Sequence, residues 1–163
     1  MEKLKIFFQK IFLDKESKQK IEFLKQLPIF DGVTDRALYQ IMNIMYRKTY
    51  PPNEIIFKEG DIGKAVFIIK SGEVVILKSA KEEKILTKLT AGDFFGEMAL
   101  LDEFPRSATA KTTKESELYF IYKVRFDALL KYYPRGASRV IYNLARLISA
   151  RLRHTTEDYV KSF

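Results

Sequence analysis

The sequence predicts an α+β fold: a central run of short β-strands bracketed by helices, with the longest helix on the C-terminal side. Over residues 47–122, β-branched and aromatic runs of five to seven residues alternate with turn residues, and strands so short and evenly spaced belong to a sandwich, barrel or jelly roll. On either side of that stretch apolar residues recur at every third and fourth position, the period of an amphipathic helix. Composition bounds the size of the answer. With 163 residues, 47% of them hydrophobic and 13% aromatic, the chain holds one ordered domain with a single core.

Leu4, Phe7, Phe8, Ile11 and Phe12 form the first apolar stripe, bordered by Lys3, Lys5 and Lys10. The pattern predicts an amphipathic helix or extension over residues 1–20 ahead of a main domain over 21–163. Its stripe packs on that domain or on a second subunit, or it docks on a partner or an anionic membrane surface. A charged break over 14–18 closes it. The next helix, through Ile21, Leu24 and Leu27, is expected to stop at Pro28, which has no N–H to continue it. Thr34 offers the hydroxyl of an N-cap to a third helix carrying Leu38, Ile41, Met42 and Met45.

Six strands are legible, over 54–58, 65–70, 73–79, 84–89, 108–112 and 117–122. Gly60-Asp61, Gly63, Ser71-Gly72, Lys81-Glu82-Glu83 and Ala91-Gly92-Asp93 supply the turns between them. Helix returns over 124–133, is expected to stop at Pro134, and resumes from Ala137 toward Tyr159. On that last run Ile141, Leu144, Ile148 and Leu152 make an apolar seam, which folds back on a core or pairs between subunits.

Several function classes are excluded by what the chain lacks. It has no cysteine, so no disulfide framework or thiol chemistry, and its one histidine, His154, cannot build a multi-histidine metal centre. No P-loop or dinucleotide glycine motif is present, and a serine nucleophile would have only His154 as base. We therefore expect neither an enzyme nor a metal or cofactor. The apolar group Ile6-Phe7-Phe8 is interrupted by Gln9, Lys10 and Asp14 before it reaches signal-peptide or transmembrane length, so a cytoplasmic location is expected. The net charge of +8 invites a nucleic-acid partner, but the basic residues run from Lys3 to Lys161 mixed with acids. No recognition-helix or RNA-binding signature accompanies them, and DNA binding is not expected.

The most specific segment is Phe95-Gly96-Glu97-Met98-Ala99-Leu100, followed after a short spacer by Pro105-Arg106-Ser107-Ala108-Thr109-Ala110. Gly96 lets the backbone approach a ligand, and the amides after it are the free donors of a helix start, where an anion is welcome. Arg106 adds a planar fork that suits phosphate oxygens. Glu97 can accept hydrogen bonds from a vicinal hydroxyl pair such as a ribose. Alone, each has an ordinary explanation: a turn glycine, a capping acid, and an arginine in a surface ion pair with Asp102 or Glu103. Together, a phosphate and a sugar hydroxyl read within one short segment imply a small cyclic nucleotide.

This segment resembles the phosphate-binding cassette of the cyclic-nucleotide-binding domains, found in protein kinase A regulatory subunits, cyclic-nucleotide-gated channels and the catabolite activator family. The resemblance continues through Pro52-Asn53-Glu54-Ile55-Ile56-Phe57-Lys58-Glu59-Gly60-Asp61, Phe67-Ile68-Ile69-Lys70-Ser71-Gly72-Glu73-Val74 and Ala91-Gly92-Asp93-Phe94, and covers about residues 23–153. It implies an eight-stranded β-roll, jelly-roll-like, flanked by N-terminal helices and a long C-terminal helix acting as lid or dimer helix.

The resemblance also implies the site: Phe95, Gly96, Glu97, Met98, Ala99, Arg106, Ser107, Ala108 and Thr109 in the cassette, and Ile76, Leu86 and Thr87 on the facing wall. Phe94 would lie near the base of the pocket, and Thr155 and Thr156 would reach the purine from the last helix. In the family, threonine at the position of Ser107 favours guanine and alanine favours adenine; serine leans toward cAMP over cGMP. A non-catalytic cAMP sensor is the implied function, signalling by a helix rearrangement to a homodimer partner or a protein effector. Catabolite-activator-type transcription factors carry a helix-turn-helix domain after the long helix, and none is expected here. The alternative is a docking or membrane-associated module with a ligand-free pocket.

Overall fold

The computed structural model describes residues 15–78 and 84–161. The N-terminal stripe from Leu4 to Phe12 and the Lys81-Glu82-Glu83 turn lie outside the described residues. Helix α1, Lys15–Lys25, takes in residues 15–18 of the charged run, so those residues are helical rather than a break, and residue 20 lies inside the helix. Ile21 and Leu24 are its buried stripe. Pro28 does not simply end it. It opens a 3-10 turn, Pro28–Phe30, that buries Ile29 and Phe30. Helix α2, Asp35–Asn43, starts where expected, with Thr34 Oγ1 accepting from the Ala37 amide at 3.4 Å.

Eight strands come next: β1 Tyr46–Tyr50, β2 Ile55–Phe57, β3 Ala65–Ser71, β4 Glu73–Lys78, β5 Lys84–Thr90, β6 Phe94–Phe95, β7 Thr109–Thr112 and β8 Ser116–Tyr122. They form two four-stranded sheets, β1-β8-β3-β6 and β2-β7-β4-β5, with every pairing antiparallel. This is the expected roll.

Strand β3 explains how the layers stack. Its residues Ala65 to Ile69 are all buried, because both faces of its sheet are covered. Val66 and Ile68, paired with Ile121 and Tyr119 of β8, point to a core shared with the helices and containing Leu24, Leu38 and Phe126. Phe67 and Ile69 point the other way, to a core between the sheets with Val74, Phe95 and Leu118. Phe67 stacks on Phe95 there, ring centroids 5.3 Å apart.

Helix α3, Lys123–Tyr132, and helix α4, Pro134–Lys161, complete the chain. Pro134 opens α4 instead of stopping the helix before it, since a first-turn residue needs no N–H. The first half of α4 is firmly seated. Ala137, Val140 and Leu144 are buried, and the carboxamide of the buried Asn143 donates to the carbonyls of Ile29 at 3.1 Å and Asp31 at 2.8 Å. The expected seam is correct at Leu144 and partly at Ile141 and Ile148, but Leu152 is 66% exposed. Leu147 takes the inward place, one turn after Leu144.

Candidate functional site

A cavity of about 610 Å³ opens between β4, β5, the segment after β6 and the middle of α4. The backbone that forms its floor is dictated by Gly96, which sits at φ +67° and caps the 3-10 turn Glu97–Leu100. A Cβ there would come within 2.6 Å of Arg106 Nη1. Glycine is thus required twice, by the left-handed backbone and by the arginine lying against it. The first amides of the turn have no partners within it, and they border the cavity.

Arg106 is placed by backbone pairing. Its amide donates to Asp61 O at 2.7 Å and its carbonyl accepts from the Gly60 amide at 2.9 Å. Its side chain then turns inward: Nη1 donates to Gly96 O at 2.9 Å, Nη2 to Ala65 O at 2.7 Å, and the guanidinium lies 4.0 Å from the Phe57 ring centre. No surface ion pair with Asp102 or Glu103 forms; the Asp102 carboxylate instead accepts from the Phe104 amide. Burial pushes the Arg106 guanidinium below its ordinary pKa, while the charges of Asp61 and Glu97 pull it back up. Its Nε is buried without a partner. Arg106 is thus a half-buried cation on the cavity wall whose hydrogen-bond partners are neutral carbonyls.

Glu97 faces the same cavity with its side chain only 13% exposed. Its Oε1 accepts from Nη1 of Arg151 of α4 at 2.5 Å. Arg151 Nη2 donates to Phe94 O at 3.3 Å, and its guanidinium lies 4.5 Å from the Phe94 ring centre.

Among the residues expected at the site, Ile76, Thr87, Phe94, Phe95, Gly96, Glu97, Met98, Ala99, Arg106, Ser107, Ala108 and Thr155 line this one cavity. Three do not. Leu86 is 52% exposed and outside the wall, because alternate strand residues share a face and Thr87 and Leu89 hold that one. Thr109 is a sheet residue whose Oγ1 accepts from the Glu59 amide at 3.0 Å. Thr156 donates to Leu152 O at 2.9 Å and is exposed, one position out of register with the cavity. Residues missed from sequence include Phe57 and Leu89 on the sheet and Leu147, Ala150 and Arg151 on α4, with Gly63, Asp102, Phe104 and Pro105 also lining the cavity. The helix residues had a usable signal: 147, 150, 151 and 155 extend the buried stripe from Leu144 at three- and four-residue spacing.

Among the described residues no group of three or more His, Asp or Glu could hold a metal ion, and no helix is long and apolar enough to cross a membrane.

Residues 47–133 match the cyclic nucleotide-binding domain family, and the chain belongs to it. Cyclic AMP receptor protein from Thermus thermophilus is 34% identical over 132 residues, which are 80% of this chain and 59% of that protein. The crystal structure of the Thermus thermophilus catabolite activator protein superposes with a TM-score of 0.73 at 33% identity, over 81% of this chain and 61% of that one. The regulatory domain of Toxoplasma gondii protein kinase A, solved with cAMP, gives 0.65 at 29% identity over 71% of this chain and 45% of its own. The chain spans less than two thirds of the length of each. The domain is a regulatory, non-catalytic one.

Proposed function

We propose that the cavity binds a cyclic nucleotide, cAMP in preference to cGMP, and that the position of α4 carries the signal. The observation that supports this most strongly is the pairing in one cavity of the Arg106 fork, its buried Nε unpaired, with the nearly enclosed Glu97 carboxylate. The phosphate takes the arginine and the free turn amides, and the ribose hydroxyl takes the carboxylate. The apolar wall of Ile76, Leu89 and Leu147 receives the purine. A volume of about 610 Å³ suits a mononucleotide, since pockets for small ligands run from about 300 to 1,000 Å³. Ser107 at the rim favours adenine weakly.

Signalling then requires only that the ligand bind one position of α4 better than another. A second copy across the exposed side of α4, or a protein effector, would read that position.

Titration calorimetry with cAMP, cGMP and 2′-deoxy-cAMP tests the reading. Both nucleotides bind, cAMP the tighter, and the deoxy analogue binds more weakly. Glu97→Ala removes the difference between cAMP and its deoxy form. Equal binding of those two by the unaltered protein takes Glu97 out of the site, and no heat with either nucleotide overturns the whole assignment.

A further inference from the structure

Ser107 follows Arg106 and lines the cavity, yet it lies outside the sheet ladder. The β4–β7 pairing runs from Val74↔Thr112 to Leu77↔Thr109 and ends there. On the other side of Ser107, the backbone of Arg106 is tied to Gly60 and Asp61. Between these two anchors, the polar contact made to Ser107 among the described residues comes from a side chain: Lys78 Nζ donates to Ser107 O at 2.9 Å.

Lys78 is the last residue of β4, two past Ile76 and so on the strand face that Ile76 presents to the cavity, one step beyond the wall. Its ammonium is itself held. Glu59 Oε1 accepts from Lys78 Nζ at 2.6 Å, and the Glu59 amide donates to Thr109 Oγ1 at 3.0 Å, so loop, lysine and the end of the cassette close one ring of contacts. The Lys78 side chain is 46% exposed and that of Glu59 27% exposed, so the ion pair adds little to the stability of the fold. Its consequence is local. A charged donor on a carbonyl fixes the direction of that peptide plane, and with it where the Ser107 side chain stands at the rim.

Resting on the nucleotide-sensor reading, we propose that Lys78 is a positioning residue for the ligand: from outside the cavity it holds the Ser107 peptide, and through it the hydroxyl beside Arg106, against the nucleotide. Glu59 serves the same end one step further back, by holding the lysine.

Calorimetry with cAMP on the full chain tests this in the unaltered protein, Lys78→Met, Ser107→Ala and the double variant. Lys78→Met keeps the length of the side chain and removes its charge and donors. It weakens cAMP about three- to tenfold, while its melting temperature stays close to that of the unaltered protein. Ser107→Ala removes the hydroxyl that Lys78 places, so adding Lys78→Met to it costs no more than about a further twofold. Lys48→Met, which breaks a comparable pair with Glu54 at 3.2 Å away from the cavity, leaves cAMP affinity unchanged. The proposal is overturned if Lys78→Met binds cAMP as the unaltered protein does. It is equally overturned if the loss is undiminished in the Ser107→Ala chain, which would make the lysine a distant charge acting independently of Ser107. If the unaltered protein gives no heat with cAMP or cGMP, the sensor reading itself is wrong and the role of Lys78 falls with it.

Discussion

Arg106 gathers most of the site's chemistry into one side chain. Its fork spans two carbonyls on different elements, Gly96 O and Ala65 O, so it locks the cassette to β3 while presenting charge to the cavity. Loss of a charged, hydrogen-bonded partner from a buried site costs about 2–5 kcal/mol, with every 1.4 worth tenfold in Kd. Arg106→Ala is thus expected to weaken cAMP at least about thirtyfold by calorimetry. Lys114→Ala, whose partner is Glu73 far from the cassette, leaves the affinity unchanged. Gly96→Ala strains a left-handed backbone and drives a methyl group into Arg106. It should lower stability by about 1–3 kcal/mol in thermal melts and weaken nucleotide in the same variant.

These residues were legible because they lie within one short stretch, where glycine, acid and arginine fall in a fixed order. Arg151 was not. It meets Glu97 across 54 residues, and only its place on the stripe continued from Leu144 sets it apart from the other arginines of that helix. Leu86 was misplaced for the opposite reason, adjacency: Leu86 and Thr87 are neighbours in sequence and so face opposite sides of a strand.

At the scale of elements, local chemistry decided most boundaries, and neighbours decided the rest. Thr34 caps α2 as its hydroxyl demands. Removing it by Thr34→Ala should cost about 1 kcal/mol in denaturant unfolding and leave nucleotide affinity untouched, since α2 contributes nothing to the cavity wall. Pro28 and Pro134 carry the same local signal, yet each begins a turn of helix where an end was expected. A proline states only that its own N–H is absent, and the residues on its C-terminal side settle whether a helix closes or opens there. Strands β1 and β6 escaped notice for physical reasons. Most of β1 is exposed, so it shows no alternation of apolar and polar residues, and β6 is two phenylalanines held by β3.

For the molecule as a whole, two cores on opposite faces of one sheet set both its stability and its response to pH. Tyr119 lies in the helical core and Tyr50 in the core between the sheets, 4% and 6% exposed. Burial raises both phenols above the usual tyrosine pKa. A raised folded-state pKa means that the fold favours the protonated form. Its contribution is complete below the unfolded value of about 10 and is lost as the pH climbs through the folded value. The melting temperature is therefore expected to hold steady from about pH 7 to 9 and to drop above about 10. Tyr119→Phe, which keeps the ring and removes the ionisable group, should shrink that alkaline drop in a series of melts. An equal drop in the variant would place the titrating group elsewhere.

The clasp of Asn143 on the carbonyls of Ile29 and Asp31 bolts the start of α4 to the loop behind α1. Any swing of this helix must then pivot beyond that bolt, like a diving board fixed at one end. On the proposed movement of α4, a fluorophore placed at Glu157 is expected to change its signal when nucleotide binds, whereas one at Glu22 on α1 is expected to hold steady and serve as the internal reference for a ratiometric probe.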